Sequence, residues 1–492
     1  MQTLRSLAAG ATLALLISQA VLPASAQTPA AQARSAAVSA VKVPDLTRAV
    51  LPNGITVIVM PQREVPLIAF NAVLRGGAAV DPVGKSGLAA LVADLLDKGA
   101  GSRDAFAFAD AVAGVGGSFG GGAGNESISL GGQFLATDRA LMIELLADAL
   151  QRPRFDPGEF QKLRQRDVEF IKAAKDSDPN QLLSIYGRAA LFGSHPYARP
   201  VEGSERSLRL IELSDVQSYY RSHFGADRLT LVFTGDIDAS VLMSEVERAF
   251  ASWGKATTAL PALASPAPIR GRRVLLVDSP GSVQTYFWIG SVGVARKFPG
   301  RAALDVVNTL YGGRFTSILN TELRIKSGLS YGASSSFTRG TVPGPFAIAS
   351  FAQTENTEKA IDIALASLAT LKRAPPGAAM LESARSYVLG QYPTRLETAA
   401  QWAGTLADLE LYGLDKNYIE GYGPALAAVT APDAKSVIGK AFPNASDVVI
   451  VMIGDAARIR STVRKYGPLT ELALSDPDYA PAPPRAAARK RH

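Results

Sequence analysis

The residue types that most often carry hydrolytic chemistry are scarce in this chain. Cysteine is absent, and the only histidines are His195, His223 and His492. A hydrolytic zinc site needs about three protein ligands from His, Cys, Asp or Glu, with one position left open for water. No histidine has a second one three or four residues away, the spacing that places two imidazoles on one helix face. We therefore assign all three to structural or surface roles, not to metal binding.

A glycine-rich run is the other segment that could suggest chemistry. It reads Gly116-Gly-Ser-Phe-Gly-Gly-Gly-Ala-Gly124 and lacks the Lys-Ser/Thr pair that a phosphate-binding loop requires. Glycine in such a run is typical of a flexible strand edge or turn. The residues alone therefore indicate no self-sufficient catalytic constellation.

The elements around these residues indicate a duplicated chain. With 492 residues the chain is too long for one core, and a Pro/Ala-rich linker, predicted over 256–270, divides it near the middle. Each side opens with a pair of apolar strands and a helix, and each contains an apolar strand that ends in Gly-Asp, at Asp236 and Asp455. We therefore predict two homologous α+β domains over 46–255 and 271–475, each a mainly antiparallel sheet flanked by helices.

Several motifs, in order along residues 46–470, resemble those of the pitrilysin and mitochondrial-processing-peptidase family of zinc peptidases. The matching segments are Leu51-Pro-Asn-Gly-Ile-Thr-Val, Arg75-Gly-Gly-Ala, Gly87-Leu-Ala-Ala-Leu-Val-Ala-Asp, Gly193-Ser-His-Pro-Tyr, Thr234-Gly-Asp, Tyr311-Gly-Gly-Arg-Phe-Thr-Ser and Leu323-Arg-Ile-Lys-Ser-Gly-Leu-Ser-Tyr. The resemblance implies two domains that face each other as half of a clamshell. It also implies a concave surface where an extended peptide is added to a sheet edge.

The zinc motif of that family is missing. In active members the helix that begins Gly-Leu-Ala carries His-x-x-Glu-His, in which two His bind zinc and the Glu is the general base. In the same register this chain has Ala90, Leu91, Val92, Ala93 and Asp94. The family's third ligand is a Glu on a later helix, where Glu169 is the nearest candidate. Because Asp94 and Glu169 would be two carboxylates without an imidazole, we predict no metal site and no cofactor in this chain.

A second family motif is present. Family members carry an Arg and a Tyr spaced Arg-x6-Tyr in the second half, which reach towards the zinc; Arg324 and Tyr331 match this spacing, with Gly328 in the turn between them. Outside its surrounding motif such a pair would carry no information. The resemblance implies that Arg324 and Tyr331 are the catalytic and substrate-binding residues of this chain.

A chain with the Arg/Tyr pair and without the His/Glu motif resembles the non-catalytic subunit of the family's heterodimers. The resemblance implies a homologous partner with an intact His-x-x-Glu-His motif that supplies zinc and general base, and unfolded or extended peptides as substrates. The alternative is a catalytically inert scaffold or peptide-binding protein of the same fold. An adjacent exported family member with the intact motif would favour the peptidase.

Charge and hydropathy exclude two further classes of function. Five of the net +7 charges lie in the leader and the C-terminal tail (Arg5, Arg485, Arg489, Lys490 and Arg491), so removing them leaves +2 and argues against nucleic-acid binding. One charge, a short apolar run and an Ala-x-Ala site over 1–26 are typical of a secretory signal peptide, whereas a membrane anchor needs a longer span. We expect a periplasmic protein that does not insert into a membrane, with a mobile leader over 27–45 and a basic tail over 476–492.

The signal peptide gives a first testable prediction. We expect cleavage after Ala26, so that intact-mass analysis of the exported protein finds a chain that begins at Gln27. A mass that includes Met1 would refute the assignment.

Overall fold

The computed structural model describes residues 41–374 and 376–480. The signal peptide, residues 27–40 of the predicted leader and most of the predicted tail lie outside these residues. The described chain contains two six-stranded sheets, one from each half, with helices packed on them. The predicted fold class, two similar α+β halves with mainly antiparallel sheets, is confirmed. Within this part of the chain, every helix is too short or too polar to cross a lipid bilayer.

Among the described residues, the first half contains eight strands and eight α-helices. Its strands are β1 (Thr47–Val50), β2 (Thr56–Pro61), β3 (Leu67–Arg75), β4 (Gly99–Ala100), β5 (Arg103–Asp104), β6 (Ser118–Ala123), β7 (Ser127–Leu135) and β8 (Leu229–Gly235). Its helices are α1 (Leu88–Leu95), α2 (Ala105–Ala113), α3 (Arg139–Gln151), α4 (Pro157–Ser177), α5 (Asn180–Phe192), α6 (Glu205–Leu210), α7 (Leu213–His223) and α8 (Ala239–Phe250).

The second half is built from six strands and nine α-helices. Its strands are β9 (Arg273–Asp278), β10 (Gln284–Val292), β11 (Ala333–Arg339), β12 (Pro343–Gln353), β13 (Val449–Gly454) and β14 (Leu469–Ala473). Its helices are α9 (Arg301–Asn308), α10 (Ile318–Asn320), α11 (Thr357–Arg373), α12 (Ala378–Gln391), α13 (Ala399–Leu411), α14 (Asn417–Glu420), α15 (Tyr422–Ala427), α16 (Ala431–Ala441) and α17 (Ala456–Val463). Two π-helical segments, Thr309–Gly313 and Thr321–Lys326, flank α10.

The two sheets share one topology over five strands. The strand order is β6-β7-β3-β8-β2-β1 in the first sheet and β11-β12-β10-β13-β9-β14 in the second. The sixth strand differs, because β1 precedes β2 in sequence and pairs with it antiparallel, whereas β14 comes from the end of the chain and pairs with β9 parallel. The order and direction of the five other strands of the two six-stranded sheets are therefore the same.

Each half contributes one helix to the sheet of the other half. Helix α5 packs on β10 and β13 of the second sheet, and α13 packs on β3 and β8 of the first. Side chains of β13 alternate between two cores, since Val449, Val451 and Ile453 join the core that contains α5, and Ile450 and Met452 join the core of the second half's own helices. Period-2 alternation of a strand with two apolar faces requires cover on both sides.

The two exchanged helices meet their sheets at equivalent positions. Trp288 of β10 pairs with Val451, which lies three residues before Gly454 at the end of β13. Asn71 of β3 pairs with Val232, which lies three residues before Gly235 at the end of β8. Gly187 of α5 lies against the Trp288 indole, where an added Cβ would approach ring carbons to 2.6 Å. The equivalent Gly404 of α13 faces Asn71 and would keep 3.9 Å.

The connection between the halves is held along the first half. Residues 256–270 form no helix or strand. The backbone of this segment is bound at Ala256, whose N–H donates to the Asp227 carboxylate (2.8 Å), and at Ala264, whose carbonyl oxygen lies 2.8 Å from His195 Nε2. Thr258 N–H also donates to the Ser222 carbonyl oxygen (3.1 Å), so the segment predicted as a linker is fixed to the first half at several points.

The packed chain also extends beyond residue 475 into the segment predicted as a tail. Lys175 Nζ donates to the Asp476 carbonyl oxygen (2.6 Å), and Ser204 Oγ donates to the Asp478 carboxylate (2.8 Å). The Tyr479 ring is buried edge-to-face against Tyr186 of α5, with 5.0 Å between ring centroids. Burial of the large apolar ring of Tyr479 holds residues 476–480 against the first half.

Gly187→Ala tests the exchange of helices. Alanine inside a helix normally stabilises a protein by roughly 0.5–1 kcal/mol relative to glycine. At Gly187 the methyl group would overlap the Trp288 indole, and overpacking of a core costs about 1–3 kcal/mol, so we expect a net loss of unfolding free energy in a urea titration. Gly404→Ala is the matched control, for which we expect unchanged or higher stability. Equal changes in the two variants would contradict this packing.

Candidate functional site

Helix α1 occupies the position where the family's zinc motif would lie. Asp81, which is buried, binds its N-terminal end and accepts hydrogen bonds from the Gly87 N–H (3.1 Å) and the Ala89 N–H (3.0 Å). Burial raises the pKa of the Asp81 carboxyl to about 7, against the opposing effect of these two bonds. Ala90 and Asp94 are half-buried, whereas Ala93 is buried. The helix is well anchored, but it carries no imidazole.

The two carboxylates considered as zinc ligands are each bound to a cation. Arg166 Nη2 of α4 lies 2.6 Å from Asp94 Oδ2 and also 2.8 Å from Asp167. Glu169 is paired with Lys172 at 2.9 Å. A guanidinium has no lone pair to offer a metal, and its positive charge opposes one. In the described ranges no three His, Asp or Glu side chains come together in a group that could hold a metal ion. These residues do not fit zinc.

Arg324 and Tyr331 lie on one loop of the second half. Arg324 is in the π-helical segment before the turn at Gly328, whose φ of 64° is the left-handed conformation that glycine adopts at low cost. Arg324 Nη1 donates to the Tyr331 carbonyl oxygen (2.8 Å), and its guanidinium stacks on the Phe315 ring, 4.7 Å from the centroid. The Tyr331 side chain is 78% exposed. The structure thus brings the two predicted residues together and presents both to solvent.

A buried polar network holds this loop. Asn320 donates to the Phe315 carbonyl oxygen (2.9 Å), and its own side-chain oxygen accepts from the Ala333 N–H (3.0 Å). Ser350 of β12 donates to the Gly332 carbonyl oxygen (2.8 Å) and lies 3.1 Å from the Ser330 hydroxyl. The loop is therefore tied at both sides of Tyr331 to the second sheet.

The loop and helix α1 form no common site within this chain. Arg324 and Tyr331 line a pocket of about 360 Å³ made only of second-half residues, Gln284, Phe351 and Asn356 among them. Contacts of α1 are with elements of the first half, such as α4, α7 and β6. The loop with Arg324 and Tyr331 and helix α1 are therefore separate surfaces of the described residues.

Two supporting residues were missed at the level of sequence. Phe315 lies within the Tyr311 to Ser317 motif, and Asn320 lies just after it. Nothing in the sequence spacing indicates that Phe315 contacts Arg324 or that Asn320 binds the Phe315 carbonyl. Only the fold of the loop brings Phe315 beneath a guanidinium nine residues later. The only sequence signal for Phe315 is that it is an aromatic residue close in the chain to Arg324.

Comparison with known proteins defines the class. Residues 68–205 match the family model described as insulinase (peptidase family M16), and residues 211–388 match the one described as peptidase M16 inactive domain. Together the two models match well over half of the chain. The chain belongs to peptidase family M16, which confirms the resemblance in the sequence.

Some relatives of this chain are named zinc proteases, and another is named a non-peptidase homolog. An uncharacterized zinc protease of Mycobacterium leprae is 27% identical over 285 residues, which are 58% of this chain and 64% of that protein. This chain therefore spans slightly less than two thirds of the mycobacterial protein. The non-peptidase homolog YmxG of Helicobacter pylori is 23% identical over 359 residues, 72% of this chain and 81% of that one.

Solved structures share the fold. The peptidase M16 inactive domain from Pseudomonas fluorescens has a TM-score of 0.78 and 24% identity, and the match covers 84% of this chain and 98% of that chain. A protease from Helicobacter pylori has a TM-score of 0.76 and 20% identity, with 84% and 100% covered. These likenesses establish the fold of the chain.

Asn320→Ala tests the support of the loop. The change leaves the buried Ala333 N–H and the partly buried Phe315 carbonyl without their partner, and such a loss at a buried group costs about 1–3 kcal/mol. We expect a clearly lowered melting temperature. Asn444→Ala, at an exposed asparagine that donates to Asp447, is the control and should leave the melting temperature nearly unchanged. A melting temperature unchanged by Asn320→Ala would show that the network does not hold the loop.

Proposed function

We propose that this chain is the zinc-free, substrate-binding subunit of a heterodimeric periplasmic zinc peptidase that degrades or processes peptides. The observation that carries the proposal is the pairing of an exposed, rigidly supported Arg324 and Tyr331 with a helix α1 that lacks every ligand of the family's zinc motif. The partner would be a homologous subunit with an intact His-x-x-Glu-His motif.

The ion pair on α1 supports a role without metal for the first half. Asp94 and Arg166 satisfy each other on the surface where the family's ligands would converge. A partly exposed pair of this kind contributes at most about 1 kcal/mol to stability. Its significance is therefore chemical, because the Arg166 guanidinium occupies the Asp94 carboxylate that a metal ion would need.

Tyr331 suits the oxygen of the scissile peptide bond. Peptide hydrolysis passes through a tetrahedral intermediate whose former carbonyl oxygen gains negative charge, and a hydrogen-bond donor aimed at that oxygen stabilises the transition state more than the ground state. The partner's zinc would supply an activated water and polarise the carbonyl. The exposed phenol of Tyr331 would donate to this oxygen from the side opposite the partner.

Arg324 suits a neighbouring peptide carbonyl. Arginine is always charged and presents five N–H donors in a rigid fork. One Arg324 nitrogen already donates to the Tyr331 carbonyl oxygen, and the Phe315 ring fixes the plane of the guanidinium. The remaining N–H groups would hold the substrate backbone in register beside the phenol.

The second candidate function is a catalytically inert scaffold or peptide-binding protein. One observation favours it: a relative that aligns over most of its own length bears the name non-peptidase homolog. In that case Arg324 and Tyr331 would be structural, and their removal would change no rate.

Reconstitution separates the two candidates. The chain is mixed with the family member of the same host that carries His-x-x-Glu-His, complex formation is checked by size-exclusion chromatography, and cleavage of an unstructured peptide is measured. Tyr331→Phe removes one hydroxyl and is expected to lower kcat on the order of 10²–10³-fold, as for the loss of one oxyanion donor. Arg324→Ala is expected to raise KM as well as lower kcat.

Matched variants control for unspecific effects. Tyr387→Phe on α12 and Arg373→Ala at the end of α11 make the same chemical changes at exposed positions outside the loop, and neither should alter cleavage. Metal analysis of the chain alone should find no stoichiometric zinc, and zinc in the complex should be unchanged by both loop variants. If both loop variants assemble and cleave at the wild-type rate, the scaffold function takes the place of this proposal.

A further inference from the structure

A cavity lies where the two halves and their connection meet. We call it the junction pocket; its volume is about 460 Å³, and it is lined by the end of β3 and the following turn, by the connection at Leu260–Leu263, and by second-half residues after β10 and α13. The pocket that contains Tyr331 is lined by Gln284, the first residue of β10, whereas the junction pocket is lined by residues that follow the last residue of β10. Because a nine-residue strand extends over roughly 26–30 Å, the two pockets are separate.

Two cations of the junction pocket have no acidic partner. Among the described residues, no carboxylate lies within 4 Å of the Arg75 guanidinium or the Lys297 ammonium, and the sequence outside them contains no Asp or Glu. Arg75 donates only to the Glu410 carbonyl oxygen (3.0 Å). The third cation, Arg296, is paired with Asp408 and stacks on the Tyr412 ring at 4.7 Å. The pocket therefore has an excess of positive charge that its own walls do not neutralise.

The acidic residue in the wall is already fully engaged. Glu126, between β6 and β7, accepts a hydrogen bond from the Tyr197 hydroxyl and binds Thr341, whose N–H lies 2.9 Å from Glu126 Oε1 and whose hydroxyl donates to Oε2. These bonds join the β6-β7 hairpin to the β11-β12 hairpin. Glu126 is thus committed to the contact between the halves and forms no ion pair with Arg75 or Lys297. Its single negative charge and that of Asp408 offset only two of the three cations, Arg75, Arg296 and Lys297.

The rest of the wall is apolar. Val80, Leu260, Leu263 and Leu411 supply most of it, and Leu263 packs on the core of the first half. Aliphatic walls gain from a ligand that covers them, at about 25 cal/mol for each Å² removed from water. Inorganic phosphate carries charge but has no apolar part to cover these leucines, so the lining favours a ligand with both.

We propose that the junction pocket binds a carboxylate attached to an apolar body, the chemistry shared by the C-terminal residue of a peptide and by a free acyl-amino acid. The carboxylate lies between Arg75 and Lys297, where charge-assisted hydrogen bonds are strongest, and the apolar body lies against the leucines of the connection. The inference is independent of the proposed peptidase role, because it concerns binding by this chain alone.

Calorimetric titration of the purified chain tests the site without any cleavage. The probes are an N-acetylated hexapeptide that ends in leucine with a free carboxylate, the same peptide as a C-terminal amide, N-acetyl-leucine and inorganic phosphate. We expect the free acid to bind and the amide to bind at least about tenfold more weakly, since a charged hydrogen bond contributes roughly that factor or more. Competition by N-acetyl-leucine would identify one terminal residue as sufficient, and binding of the hexapeptide alone would identify a peptide C-terminus.

Charge-removing variants locate the site. Lys297→Gln is expected to weaken binding of the acid about tenfold, and Lys435→Gln, at an exposed lysine of α16, is the control that should leave it unchanged. Arg75→Gln is a second variant, and thermal unfolding verifies that each protein is folded. Equal binding of acid and amide, no binding of any probe, equally strong competition by phosphate, or the same effect of Lys297→Gln and Lys435→Gln would each overturn the proposal.

Discussion

The reciprocal packing of α5 and α13 is the constraint on which the rest of this structure depends. The central strands β8 and β13 are buried along their whole length, so each sheet has two apolar faces and needs cover on both. Helices of the same half cover one face, and one helix of the other half covers the second. Neither half can therefore bury its own sheet completely, and the two halves form one folding unit despite their shared topology.

This exchange explains why a first half without a zinc motif is still required. Helix α1 buries Leu88, Leu91, Val92 and Leu95 in the core beneath the first sheet, while Ala90 and Asp94 lie on its more open side. Replacing ligands on that side leaves the packing intact. Loss of the first half would remove α5 and expose the face of the second sheet that carries Trp288. The chemistry of one half can change while its packing role is retained.

The contacts between the halves also create space. The hairpin of Glu126 is hydrogen-bonded to that of Thr341, and Leu260 and Leu263 of the connection line the cavity beside this contact. Because the connection is bound to the first half at Ala256 and Ala264, its leucines stay at the rim of this gap and do not fill it. The junction pocket thus follows from the way two pseudo-equivalent hairpins meet beside a fixed segment.

Much of the architecture was determined by local sequence. Apolar runs that end in Gly-Asp at Asp236 and Asp455, paired strands before them and the glycine at 328 each follow from alternation, propensity and backbone freedom, which depend on neighbours in sequence. These local features were sufficient to predict two similar halves and a loop with Arg324 and Tyr331 at its ends.

Only the tertiary structure decided which surfaces meet. The sequence of α5 shows an apolar face but not that its partner is Trp288 of the other half, because periodicity indicates that a face is buried and not against what. In the same way, Asp94 and Arg166 are 72 residues apart, and β14 joins β9 from the end of the chain. Such contacts depend on side chains that are distant in sequence and close only after folding.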